Sequence, residues 1–130
     1  MTPPTIGEFL SRYPAPVQRI ARRARTSLLK NVPGCAEVLD AGAKVIGYGY
    51  GPGYSDTVCV LIFSKTGVKL GLPEGASFPD PEHLLQGSGR RHRYVPLTTP
   101  EVVQSPGVRA LIATALDAYR DRRKTKKTKA

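Results

Sequence analysis

The chain has 130 residues, the usual size of one domain and enough to bury about two-thirds of the surface its unfolded form exposes. Its 13 glycines and 12 prolines, with 40% hydrophobic and 23% charged residues, exclude a fibrous or wholly disordered chain and describe a folded globule. Twenty Lys and Arg against ten Asp and Glu give a net charge of +10, a balance that speaks to partners and not to fold.

The distribution of that charge is uneven. Arg122, Arg123, Lys124, Lys126, Lys127 and Lys129 carry six positive charges with no acid among them, and removing these six leaves +4 on the rest of the chain. Cys35 and Cys59 lie far apart and neither opens a C-x-x-C pair, so both are expected as reduced thiols and not as part of a disulfide scaffold or zinc ribbon. The first residues lack the basic-then-apolar order of a signal peptide. No stretch approaches the roughly 18 apolar residues of a membrane span. A cytoplasmic protein without a membrane partner is expected.

In chain order, Thr5 and Glu8 have capping-box spacing and open a short helical turn through Leu10. Pro16 then suits the first turn of a longer helix in which Val17, Ile20, Ala21, Ala24 and Leu28 recur at helical spacing, with Arg19, Arg22, Arg23 and Lys30 on the opposite side. Pro33 and Gly34 stop it. The period then changes. Val38-Leu39, residues 44–50, residues 57–63 and residues 68–72 read as strands joined by tight connections, which makes neighbours antiparallel. Asp80-Pro81 supplies an N-cap and first residue for one helical turn through Leu84 and Leu85, residues 91–95 read as a further strand, and Ser105-Pro106 starts a last helix with Val108, Leu111, Ile112, Ala115, Leu116 and Tyr119 on one face. The whole is one α+β domain over residues 1–121: a two-layer sandwich with an antiparallel sheet of about five or six strands and the N- and C-terminal helices packed on one face. Residues 122–130 are expected to form a disordered basic tail.

The stretch from Leu70 to Val95 combines a glycine-rich strand exit, Asp80-Pro81, Leu84-Leu85-Gln86-Gly87-Ser88-Gly89 and a basic strand. It resembles the YdhG-like domain of unknown function, a bacterial family, and the resemblance extends over about residues 5–120. It implies a two-layer fold with helices on one side of a five- or six-stranded antiparallel sheet. It implies no settled activity: some relatives are described as frataxin-like iron chaperones, and a structurally similar family carries a DNA-binding description. The family pattern has His where this chain has Tyr94, so a role for that imidazole does not carry over.

The residues offer several candidate sites. Gly87, Ser88 and Gly89 can bring backbone N–H groups close to an anion, with Arg90, Arg91 and Arg93 beyond them as forked donors to phosphate or carboxylate; the competing reading is a helix stop followed by a solvated strand. Strand alternation separates Arg91 and Arg93 from Arg90 and His92. The run Gly47 to Tyr54 lacks the G-x-G-x-x-G spacing of a dinucleotide fold. There Tyr48 and Tyr50 share one sheet face and can stack on bases or pack across strands. Together with Arg19, Arg22, Arg23 and Lys30 they outline a nucleic-acid surface. His83, His92, Cys35 and Cys59 are too scattered for a zinc pattern, and no nucleophile sits beside a base and its orienting partner.

The expectation is a non-enzymatic binding module, without cofactor or metal, that engages nucleic acid or a small phosphorylated ligand. The alternatives are a frataxin-like iron-handling protein, and a protein-interaction domain using the open sheet face, where a homodimer can form.

Overall fold

The computed structural model describes residues 2–129, and the side chains of residues 2–124. Helix α1 (Ile6–Leu10) starts where the sequence predicts. The Thr5 hydroxyl accepts the Glu8 N–H at 3.1 Å, and the Glu8 carboxylate accepts the Thr5 N–H at 2.9 Å. Helix α2 (Ala15–Asn31) carries Pro16 in its first turn, where a missing N–H costs nothing. Five strands follow: β1 (Ala36–Asp40), β2 (Val45–Gly49), β3 (Thr57–Ser64), β4 (Gly67–Leu72) and β5 (Arg93–Leu97). They form one sheet in sequence order, every neighbour antiparallel. Helix α3 (Pro106–Lys129) closes the chain.

The two layers meet through the apolar faces that periodicity marks. Helix α2 turns Val17, Ile20, Ala21, Ala24 and Leu28 inward, and α3 turns in Val108, Leu111, Ile112, Ala115, Leu116 and Tyr119. The sheet answers with Ile46, Tyr48, Cys59, Leu61, Leu70 and Val95 from its covered face. At one end Phe9, Tyr13 and Phe63 form a ring cluster with all three centroid separations at 5.2 Å. Among the described residues, no helix is long and apolar enough to cross a membrane.

Two local expectations are corrected. Asp80-Pro81 does not open a helical turn. The Asp80 carboxylate accepts the N–H groups of Leu84 at 2.7 Å and Leu85 at 2.9 Å, while His83 between them sits at φ 56°, a left-handed conformation that ends any helix. The last strand begins at Arg93 and not at Arg91, because Leu72, its partner at that register, is the last residue of β4. Helix α3 continues as far as Lys129, and the side chains of residues 125–130 lie outside the described part of the expected tail. No glycine or proline follows Gly107 in that helix, and Arg and Lys are among the better helix formers. Arg122 anchors it to the body: Nη2 donates to the carbonyls of Thr57 at 3.2 Å and Ser55 at 3.4 Å.

The outer margin of β5 is partly occupied. Gln86 and Tyr94 exchange backbone hydrogen bonds of 2.8 and 3.0 Å. The Tyr94 N–H therefore points away from β4, and so does the nitrogen of Pro96 two residues on, which has no hydrogen to donate.

Candidate nucleic-acid interface

The sequence puts Arg19, Arg22, Arg23, Thr26 and Lys30 on the side of α2 opposite its apolar stripe, and the fold leaves all five exposed. What lies across from them could not be read from periodicity. The turn at Val102–Gln104 and the first turn of α3 stand beside α2 and make the wall of a groove. One part, about 300 Å³, is lined by Arg19, Arg22, Arg23, Thr26 and Pro100. The next, about 410 Å³, is lined by Thr26, Ser27, Lys30, Asn31, Gln104 and Arg109. Thr26 belongs to both, so the two run into each other along the helix.

Neutral groups hold the cations in place. Arg23 Nη1 donates to the Gln104 side-chain oxygen at 3.2 Å, and Arg22 Nη2 to that of Gln18 at 3.0 Å. Asn31 donates to the Ser27 carbonyl at 2.8 Å, which fixes the floor near Lys30. None of Arg19, Arg22, Arg23, Lys30 and Arg109 is paired with a carboxylate among the described residues. Five unneutralised charges along one groove concentrate positive potential there. Arg109 joins the set only through the fold; its place off the apolar stripe of α3 is the one signal of exposure that the sequence carries.

Arg25, one residue off this face, is used differently. It donates to Glu37 through Nε at 2.7 Å and Nη2 at 2.8 Å, and the Tyr48 hydroxyl donates to the same carboxylate at 2.6 Å. Burial pushes the Glu37 carboxyl upward, but the hydrogen bonds from Arg25 and Tyr48 outweigh it and hold the group below its ordinary range. The triad ties α2 to β1 and β2, and so fixes the helix that carries the groove.

Tyr48 is therefore no surface for bases. Its exposure is 0%, and burial followed by the Glu37 hydrogen bond pushes its hydroxyl far upward. Alternation sets it on the same face as Ile46, also 0% exposed, and that face is the one the helices cover. Tyr50 shares the direction yet lies past the end of β2, where it is 37% exposed.

The loop from Gly87 to Arg93 forms a tight structure with a different use of its cations. Gly87 has φ 113°, which a side chain rarely adopts. The Arg93 guanidinium turns back and donates through Nη1 to the carbonyls of Gly89 and His92. It thus braces the loop, while Arg90 and Arg91 stay exposed beside Ser88 and Gly89. The Arg91 carbonyl accepts the Ala76 N–H at 2.8 Å. His92 lies over the sheet with Nε2 against Gly71, where burial, then the Arg93 charge, lowers its pKa.

On the open sheet face, register aligns Val38, Gly47, Val60, Gly71 and Tyr94 in one row across the strands. The next row carries Val45, Ile62, Lys69 and Pro96. Lys69 Nζ stands 4.5 Å from the Tyr94 ring centroid, and Val38 is 60% exposed. Burial raises both thiols, so Cys35 and Cys59 are neutral at pH 7. Among the described residues, no three His, Cys, Asp or Glu side chains gather as a metal site.

No protein-family model, no curated protein and no solved structure matches this chain.

Proposed function

We propose that this protein is a non-enzymatic binding module for an anionic polymer, nucleic acid foremost, and that the α2 groove is its contact surface. The observation that carries the reading is the row of Arg19, Arg22, Arg23, Lys30 and Arg109 along one groove without a carboxylate partner among the described residues. Surfaces usually intersperse both signs, so a row of one sign along a groove favours an anionic partner. Each cation that meets a phosphate releases a counterion, so affinity comes from the row as a whole and carries no sequence reading.

The loop from Gly87 to Arg93 is secondary in this reading, because Arg93 is engaged with backbone carbonyls and only Arg90 and Arg91 face outward. The test is anisotropy titration of full-length protein with labelled DNA and RNA over a salt series, comparing wild type with Arg22→Glu/Arg23→Glu and with Arg90→Ala/Arg91→Ala. The groove variant is expected to lose at least tenfold in affinity at low salt, and the loop variant less than threefold. Absence of binding by the wild type at about 50 mM salt removes the reading.

A further inference from the structure

Two of the large apolar side chains most exposed on this molecule are tyrosines at opposite ends of one short loop. Tyr50 leaves β2, Gly51-Pro52-Gly53 follows, and Tyr54 opens the 3-10 turn Tyr54–Asp56. Tyr54 is 59% exposed and Tyr50 37%. A side chain that solvent merely tolerates leaves its hydroxyl in water. Here both hydroxyls are tied to backbone: Tyr50 donates to the Pro33 carbonyl at 2.6 Å, and Tyr54 to the Pro73 carbonyl at 3.0 Å. A ring held at Cα and again at its hydroxyl presents its flank to solvent, with its torsional freedom already lost.

The loop between them is fixed as well. The Tyr50 N–H donates to the Asp56 carbonyl at 2.9 Å, and the Gly53 N–H to the Asp56 carboxylate at 3.3 Å. That carboxylate fills the space where a side chain on Gly51 would go. Its charge is met by Arg123, whose Nη1 lies 3.8 Å from Oδ1.

The cations stand beside Tyr50 and the loop. Tyr50 packs on Tyr119 of α3 with centroids 5.0 Å apart and planes at 31°, and the Arg122 guanidinium lies 5.8 Å from the Tyr119 ring centre. Arg120 is exposed and close enough to act on the Tyr50 hydroxyl electrostatically. Arg123 is half-exposed. Fixed aromatic flanks bordered by arginines are what single strands use: unstacked bases lie on the rings and phosphates follow the charges, whereas duplex bases are already stacked on each other.

We infer that Tyr50 and Tyr54, with Arg120 and Arg123 of α3, form a stacking platform for single-stranded nucleic acid. This rests on the anionic-polymer reading above and narrows it to unpaired strands. Because both rings are anchored before binding, little ordering entropy opposes the contact.

The test uses full-length protein, a labelled mixed-sequence single strand of about 12 nucleotides, and the duplex of the same sequence. Variants are Tyr54→Leu, Tyr50→Leu and Tyr54→Phe, each first shown by urea unfolding to be folded. Wild type is expected to favour the single strand, each Leu variant to weaken single-strand binding roughly tenfold with duplex binding unchanged, and Tyr54→Phe to stay within about threefold of wild type. Leu variants that bind the single strand as wild type does, or a wild type that prefers duplex, overturn the platform alone, since the groove reading is tested by Arg22→Glu/Arg23→Glu. No binding of either strand by wild type overturns the anionic-polymer reading and the platform with it.

Discussion

Arg25 and Glu37 meet through two parallel hydrogen bonds, 2.7 and 2.8 Å long, at the point where the basic helix crosses the first strand. The pair is half-buried, and Glu37 also carries the buried Tyr48 hydroxyl. Removing the carboxylate strands both donors, whereas removing one donor leaves the rest of the triad intact. Glu37→Ala is expected to destabilise by about 2–4 kcal/mol and Tyr48→Phe by about 1–2 kcal/mol. Urea unfolding midpoints at constant slope check the order; equal effects would show that the hydroxyl and the carboxylate do not depend on each other.

Gly71 is tested by alanine. In open backbone, Gly→Ala stabilises by about 0.4–1 kcal/mol through the unfolded chain. Here the added carbon would lie 2.7 Å from Val60 Cγ2 and 2.9 Å from both His92 Nε2 and Ile62 Cδ1. Overpacking costs about 1–3 kcal/mol and wins. A net loss of stability is expected, with a shift of the His92 ring resonances in the proton spectrum as the imidazole is displaced.

The pH dependence has two steps with one sign. His92 has its pKa lowered from 6.5 in the fold, so the unfolded chain takes the proton first and stability declines as pH falls below that value. Glu37 lies below its ordinary 4.5. Its contribution is fully present above 4.5 and is lost as pH falls through the folded value. Denaturant titrations across this range are expected to show His92→Gln flattening the upper step and Glu37→Gln the lower. An unchanged upper step in His92→Gln assigns it to another group.

Salt reports on the groove separately from affinity. Every phosphate that a variant no longer neutralises reduces the slope of log K against log salt by about 0.7 on single strands and 0.9 on duplex. Arg22→Ala/Arg23→Ala is expected to flatten the single-strand slope by about 1.4. A parallel line displaced downward would mean that the arginines shape the groove without touching phosphate.

Deleting residues 122–130 measures the end of α3. The helix runs to Lys129, so truncation removes eight helical residues, 122–129, and the Arg122 bonds to Ser55 and Thr57. Circular dichroism at 222 nm is expected to fall by that share of the helical signal, with a loss of about 1–2 kcal/mol in stability. No change in helical signal would show residues 122–129 to be disordered in solution.

Much of the fold was legible because local chemistry and burial agree. Thr5 with Glu8, the stripe from Val17 to Leu28 and the apolar run of β3 each leave one choice. Tyr48 was misplaced for a physical reason: alternation says which residues share a face, not which face is covered, and the apolar Ile46 on the same face was the available clue. Asp80-Pro81 misleads because Asp before Pro suits a helix N-cap, which accepts N–H groups two or three residues on, whereas here the carboxylate takes those of Leu84 and Leu85, four and five residues on, and the left-handed His83 has no signature. For residues 122–129 two sequence signals disagree: they have nothing apolar to bury, which argues for disorder, while Arg and Lys are good helix formers. Of the basic surface, Arg19, Arg22, Arg23 and Lys30 could be read from spacing. The wall opposite them, with Arg109, is long-range packing that spacing does not record.

The two margins of the sheet are unlike. Beyond β5, Gln86 already holds both backbone groups of Tyr94, and Pro96 offers no hydrogen. Beyond β1, with Ala36, Val38 and Asp40 exposed, no further strand pairs among the described residues. A sheet that can accept a neighbour at one margin only cannot propagate. Edge-to-edge pairing of copies through the free margin would end at two, β1 against β1, where a sheet with both margins open could go on adding strands.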